Sequence, residues 1–306
     1  MSSTWARAAL QHCAFHGLPA IALADLTVEL APQWEAARED RLLACRGRDR
    51  RRAAGAGRRP KVVFLDALLI TLAYLRTGVT QDLLAVLFDV DQATISRAVR
   101  TIRPLISARG YATGNDGPRL RTLADVLAYA QATGFDLCLD ATDIIVRRPQ
   151  AARPGRKAFV SGSKRRNTIK GTVVSDQAGR LLWAGALRPG RMHDQTAIKT
   201  EGIDDLLDHF PGVRIWADQG YRGLANKHPG QVITKLDLLP DTADKDLQDL
   251  IVDLRKLHCQ QRIPIEQVIG RMKNWTSLTR WHGHRATLPE TFIAVATLVS
   301  DLTATR

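Results

Sequence analysis

From residue 135 onward the hydrophobic period of the chain changes. "FDLCLDATDIIV" (135–146) is a near-continuous apolar run of the kind that suits the centre of a sheet. Its first apolar stretch stops at Asp140, and "VRIWAD" (213–218) stops in the same way at Asp218. A carboxylate within or at the end of a buried strand is costly unless it is paired or holds a metal. Between them, "TIKGTVVSD" and "LLWAGAL" read as two strands joined through "DQAGR", a hairpin with a Gly-containing turn. Asp194 then caps a helical stretch to about His209. "QVITKL" (231–236) is a short strand, and helices over 241–260 and 264–274 precede "LPETFIAVATLVSDLT". The order of three strands, helix, strand, helix, strand and helices predicts a mixed α/β sheet flanked by helices over 135–306.

The chain before residue 135 reads as helical. Residues 1–45 form an amphipathic segment. "RGRDRRRAAGAGRRPK" (46–61) is a basic linker that can also serve as a phosphate-binding arm. Residues 62–107 give "FLDALLITLAYLRTG", closed by Gly78, and "TQDLLAVLFDV" with Thr80 as N-cap. A short turn at Asp91 leads into "QATISRAVRTIRPLI". In the last of these, Ile95, Val99 and Ile102 make one buried stripe, while Gln92, Thr94, Ser96, Arg97 and Arg100 fall mostly outside it. This is a helix-turn-helix pattern whose third helix suits a DNA major groove; three-helix packing without DNA is the alternative. A connector helix occupies 108–134.

Charge favours the DNA reading. Lys and Arg number 44 against 31 Asp and Glu, for a net charge of +13, which points to a polyanionic partner. Between Arg147 and Lys170 lie nine basic residues, among them Lys164, Arg165, Arg166 and Lys170, and no acid. Cys13, Cys45, Cys138 and Cys259 are scattered and read as reduced thiols. No apolar run reaches the roughly 20 residues of a membrane span, and the N-terminus lacks the features of a signal peptide. These features predict a cytoplasmic protein without a membrane partner.

"RIPIEQVIGRMK" (262–273) supplies a third acid. Pro264 suits a first helical position, and Ile265, Val268, Ile269 and Met272 form the apolar stripe. Glu266 and Lys273 fall within roughly 20° of each other and about 10 Å apart along the axis, and Arg262 joins their line if the helix reaches back past Pro264. Three carboxylates brought together cannot all stay ionised without cations. Hard divalent ions such as Mg2+ suit oxygen ligands, and a pair of them stabilises both oxygens of an in-line phosphoryl displacement. Asp143, three residues past Asp140, points to the opposite face of the strand and reads as structural. Asp194, beside His193, is the reserve for the middle ligand. His258, Cys259, His282 and His284 lack the spacing of a zinc site, and Trp275 and Trp281 read as core.

"LDAT", "ADQGYRG" and "RIPIEQVIGRMK" resemble the three acidic motifs of bacterial insertion-sequence DDE transposases, closest to the group named after insertion sequence five. The family's first motif reads roughly Asp-Gly/Ala-Thr, its second Asp-Lys-Gly-Tyr, and its third Tyr-x2-Arg-x3-Glu-x6-Lys/Arg on a helix. Arg262, Glu266 and Lys273 keep that third spacing; Cys259 stands in place of Tyr, and Gln219 in place of Lys. The likeness covers roughly residues 65–300 and includes the His193–Asp194 pair. It implies a ribonuclease-H-like fold, with the first Asp on strand one, the second after strand four and the Glu on a later helix. The implied activity is cleavage and strand transfer at the terminal inverted repeats of an insertion sequence. Asp140 would bridge two divalent ions (Mg2+, with Mn2+ able to substitute), and Asp218 and Glu266 would hold one each. Arg262 and Lys273 would meet the DNA backbone. The implied partners are double-stranded DNA, as element ends and as target, and at least one further copy of the chain in a synaptic complex within a prokaryotic nucleoid. A catalytically inactive DNA-binding derivative and another ribonuclease-H-like nuclease are the alternative functions.

Overall fold

A computed structural model describes residues 3–48, 60–115, 117–150, 155–162, 164–240, 242 and 244–304. Most of the basic 46–61 segment lies outside them. The chain divides into two compact units, residues 1–109 with 275–277, and residues 110–274 with 278–306.

The first unit is helical: α1 (Ser3–Leu10), α2 (Cys13–His16), α3 (Ala20–Arg46), α4 (Phe64–Thr77), α5 (Gln81–Phe88) and α6 (Gln92–Ser107). Helix α4 supplies its centre through Leu68, Leu69, Ile70, Leu72 and Leu75. Asp66, 1% exposed within that apolar run, takes a two-pronged bond from the Arg7 guanidinium at 2.6 and 2.8 Å. Thr80 caps α5, its Oγ1 accepting from Leu83 N at 3.2 Å. Asp89 ends that helix in the left-handed region at φ 51°, and the turn delivers the chain into α6. Ile95, Val99 and Ile102 are buried, whereas Gln92, Arg97 and Arg100 are exposed and Thr94 is half-buried. The 3.6-residue stripe therefore sorts α6 into a core face and a basic, amide-bearing face, and the unit contains a helix-turn-helix.

The second unit opens with the two-residue strands β1 (Tyr111–Ala112) and β2 (Arg119–Leu120), then α7 (Leu123–Thr133). Its main sheet starts with β3 (Leu137–Val146), β4 (Thr168–Asp176), β5 (Leu181–Ala184) and β6 (Arg188–Pro189). After α8 (Asp194–Glu201) and α9 (Ile203–His209) come β7 (Ile215–Ala217), α10 (Arg222–Lys227) and β8 (Val232–Ile233). Helix α11 (Lys245–Lys273), the single turn α12 (Thr276–Thr279), β9 (Arg280–Trp281) and α13 (Leu288–Ala304) complete the chain. The sheet runs β5-β4-β3-β7-β8, with β6 on β4 and β9 on β3. Strand β3 is antiparallel to β4 and parallel to β7, and β7 is parallel to β8. Three antiparallel strands extended by two parallel ones make the ribonuclease-H-like mixed sheet.

Helix α11 packs on β3 and β4, and α13 on β5. The approach of α13 depends on Gly171 of β4, where an added Cβ would meet Phe292 Cζ at 2.6 Å and Leu187 Cδ2 at 2.8 Å. Overpacking at such a contact costs about 1–3 kcal/mol. Gly171→Val is therefore expected to lower the urea midpoint by that equivalent, with an unchanged slope.

Two expectations change. The helices predicted over 241–260 and 264–274 are one continuous α11, with Pro264 inside it. Proline there removes one backbone donor, but His258 on one side and Ile265, Val268 and Met272 on the other are buried, and this packing holds both stretches on one axis. The helix predicted from Asp194 to His209 is instead split into α8 and α9 at Gly202, whose φ is +69°.

Candidate active site

Strand register brings the two strand-borne acids together. In the parallel β3–β7 pair, Leu139 lies opposite Ala217. Asp140 and Asp218 are the next residues on each chain, at the carboxyl end of β7, and parallel neighbours lie about 4.8 Å apart. The crevice beyond the carboxyl ends of such strands is where open α/β sheets place their ligands.

Asp218 caps the turn that follows β7, its Oδ1 accepting from Gly220 N at 2.7 Å. Asp194, the first residue of α8, is anchored by Lys170 of β4, whose Nζ lies 2.8 Å from its Oδ1. A Cβ on Gly220 would sit 2.9 Å from Asp218 Oδ1 and 3.1 Å from Asp194 Oδ2. The two carboxylate oxygens thus flank one small space that only glycine leaves open. Tyr221 is buried beside them. Its hydroxyl is held well above the usual phenol range, first by burial and then by the negative charges of Asp194, Asp140 and Asp218.

Asp140 uses both oxygens: Oδ1 accepts from Ala141 N at 2.7 Å and Oδ2 from Arg262 Nη2 at 2.8 Å. Burial pushes its carboxyl up to about 6; the Arg262 charge and the Ala141 N–H oppose the rise, and Asp218 and Asp194 add to it. A carboxyl raised above its unfolded value contributes stability that is complete below pH 3.8 and is lost as pH rises through about 6. Metal-free wild type should therefore lose thermal stability between pH 4 and 7 more steeply than Asp140→Asn, a difference that melting curves across that range would measure.

The remaining predicted residues fall into three groups. Glu266 is exposed on α11, one turn beyond Arg262, with no hydrogen bond or ion pair to any described residue. Arg262 and Lys273 face protein partners. Arg262 reaches Asp140, and the Lys273 ammonium donates to the carbonyls of Asp143 and Leu278, with burial pushing it down to about 8. Lys164, Arg165 and Arg166 are exposed on the loop before β4, where Lys164 lies 3.1 Å from Asp143. Asp143 also accepts from Thr168 Oγ1 at 3.2 Å. Among the described residues, no group of three His, Cys, Asp or Glu side chains stands ready-made for a metal.

Sequence reasoning weighed His258 only as a zinc ligand and gave it no place near the acids. It is buried, and its Nε2 lies 3.0 Å from Ala217 O, tying α11 to the end of β7. The signal was present, since His258, Arg262 and Glu266 recur every four residues along one helix face.

Residues 139–300 match the family model described as DDE superfamily endonuclease. Residues 60–112 match the helix-turn-helix of DDE superfamily endonuclease. A "Probable transposase for insertion sequence element IS702" from Microchaete diplosiphon is 25% identical over 249 residues, covering 78% of this chain and 79% of that protein. The solved pre-cleavage Mos1 transpososome aligns over 98% of both chains at 15% identity and a TM-score of 0.19. The mariner Mos1 paired end complex with Mg aligns over 88% of this chain and 86% of that one at 14% identity and 0.21. The family model covers more than half of the sequence, including Asp140, Asp218 and Glu266, and the chain belongs to the DDE superfamily endonucleases.

Proposed function

We propose that the chain is the transposase of a bacterial insertion sequence. It binds the element's terminal inverted repeats, cuts phosphodiester bonds to free 3′-hydroxyl ends, and joins those ends to target DNA. The observation that supports this reading is the β3–β7 register, which leads into Asp140 and Asp218 as neighbours, in a strongly basic chain. The space at Gly220 and the hard oxygen donors around it fit divalent cations. Asp140, Asp218 and Glu266 would hold Mg2+ or Mn2+, with Asp194 as the adjoining carboxylate. When bound, two such ions stabilise charge on the attacking and leaving oxygens of the phosphodiester.

The protein's own residues position the DNA. Helix α6 presents Gln92, Arg97 and Arg100 to a groove, with Thr94 at its start. Lys164, Arg165 and Arg166 follow the phosphates beside the acids. Each phosphate contact releases condensed counter-ions, so Arg97→Ala and Arg100→Ala should each flatten the salt dependence of end binding by about one unit of log–log slope if they meet phosphate. Fluorescence anisotropy across a salt series reads that change. Synapsis of two ends requires at least two copies of the chain, acting in the nucleoid.

The test is one labelled end fragment in gel-shift and nicking assays with Mg2+ and with EDTA. Retardation in both conditions, with nicking and joining only in Mg2+, is the expected result. Retarded DNA that is never nicked would favour an inactive DNA-binding derivative. Hydrolysis without joined product would favour a different ribonuclease-H-like nuclease. Undiminished cutting in EDTA would end the metal reading.

A further inference from the structure

The ion pairs of this chain are built in two ways. Arg7–Asp66 and Arg109–Glu29 are two-pronged: Nε and Nη2 each meet one carboxylate oxygen, at 2.6 and 2.8 Å in the first pair and at 2.9 and 2.6 Å in the second. Such forks fix geometry as well as charge. Arg262 meets Asp140 through a single nitrogen, Nη2. Asp140 Oδ1 is turned away to Ala141 N, and the buried Arg262 Nε has no partner among the described residues. The Arg262 side chain is only 15% exposed, so its charge compensates a largely buried carboxylate, yet most of its five donors are uncommitted.

We propose that Arg262 is a displaceable internal counter-ion. In the metal-free protein it occupies the Asp140 oxygen that a divalent cation needs. Cation entry exchanges the guanidinium off that oxygen, and its free donors are then available to a DNA phosphate. The exchange breaks and forms only ionic contacts; Asp140 stays ionised and Arg262 stays protonated. Lys170 bears a similar single contact to Asp194, so two of the acids, Asp140 and Asp194, rest on side-chain cations. The inference rests on the metal-dependent reading above and adds a competition between a resident cation and an incoming one, which would keep the site weakly charged with metal until DNA gives the guanidinium somewhere else to go.

The test uses Mn2+ alone with the full-length, DNA-free protein, followed by isothermal titration calorimetry at pH 7.5. Arg262→Gln is expected to bind Mn2+ about tenfold more tightly than wild type, because the competitor is gone. Unchanged or weaker binding by folded R262Q would overturn the proposal. Asp140→Asn separates the two levels of the argument. If it binds Mn2+ as wild type does, the site assignment itself fails; if it loses binding while R262Q matches wild type, only the counter-ion role fails. Should R262Q not fold, the arginine side-chain Nε–H signals of 15N-labelled wild type report the same event, with Arg262 assigned through Arg262→Lys. That signal is expected to shift on Mg2+ saturation, and a stationary signal would overturn the exchange.

Discussion

Asp140→Asn is expected to reduce strand cleavage by a factor on the order of 10^3 or more, while gel retardation of a labelled end stays at the wild-type level. The size of the effect follows from the position of this carboxylate. It is the acid flanked by β7 on one side and by α11 on the other, and the parallel register places it next to Asp218. Asparagine keeps the volume and one carbonyl oxygen, so β3 and its pairing with β4 persist. What is lost is the negative charge at the crevice. Helix α6, proposed above to meet the DNA, is built from different residues around Ile95, Val99 and Ile102, so end binding is expected to persist. Wild-type rates from D140N, measured as nicked product per minute in Mg2+, would remove Asp140 from the site.

The second large effect separates two acids. Glu266→Gln is expected to match D140N, whereas Asp194→Asn is expected to lower cleavage by about 10–100-fold, the range for groups that act next to the metal ligands. The reasoning is again structural. Glu266 has no bond to any described residue, so its carboxylate is uncommitted, and its helix already reaches the site through Arg262. Asp194 is half-committed to Lys170, with only Oδ2 facing the space at Gly220. If D194N equals D140N while E266Q cuts normally, the third ligand is Asp194 and the acid on α11 is a surface charge.

Much of this was readable in the sequence because burial writes its period into the residues. The apolar run at 135–146 identified a central strand, which the structure places at Leu137–Val146, between β4 and β7 in the sheet. The stripe through Ile95 identified the buried face of α6. What sequence could not supply was long-range register and side-chain direction. Nothing local in "LCLDAT" or "RIWAD" says that Leu139 pairs with Ala217. Arg262 and Lys273 sit at spacing that suits an outward, DNA-facing row, yet burial turns one to Asp140 and the other to backbone carbonyls. Pro264 reads locally as a helix start and is overridden by packing on both sides of it. The space shared by Asp194 and Asp218 depends on two loops meeting at a glycine, which no periodicity encodes.

The parallel pairing of β3 with β7 has a consequence for biosynthesis. Its two edges are translated far apart, with a hairpin and two helices between them, and α11 emerges later still. Contacts of such long sequence separation close slowly and late. A growing polypeptide on the ribosome therefore carries its helix-turn-helix well before Asp140, Asp218 and α11 can come together. Synthesis that stops before α11 therefore leaves a helix-turn-helix without the complete sheet-and-helix unit that follows it.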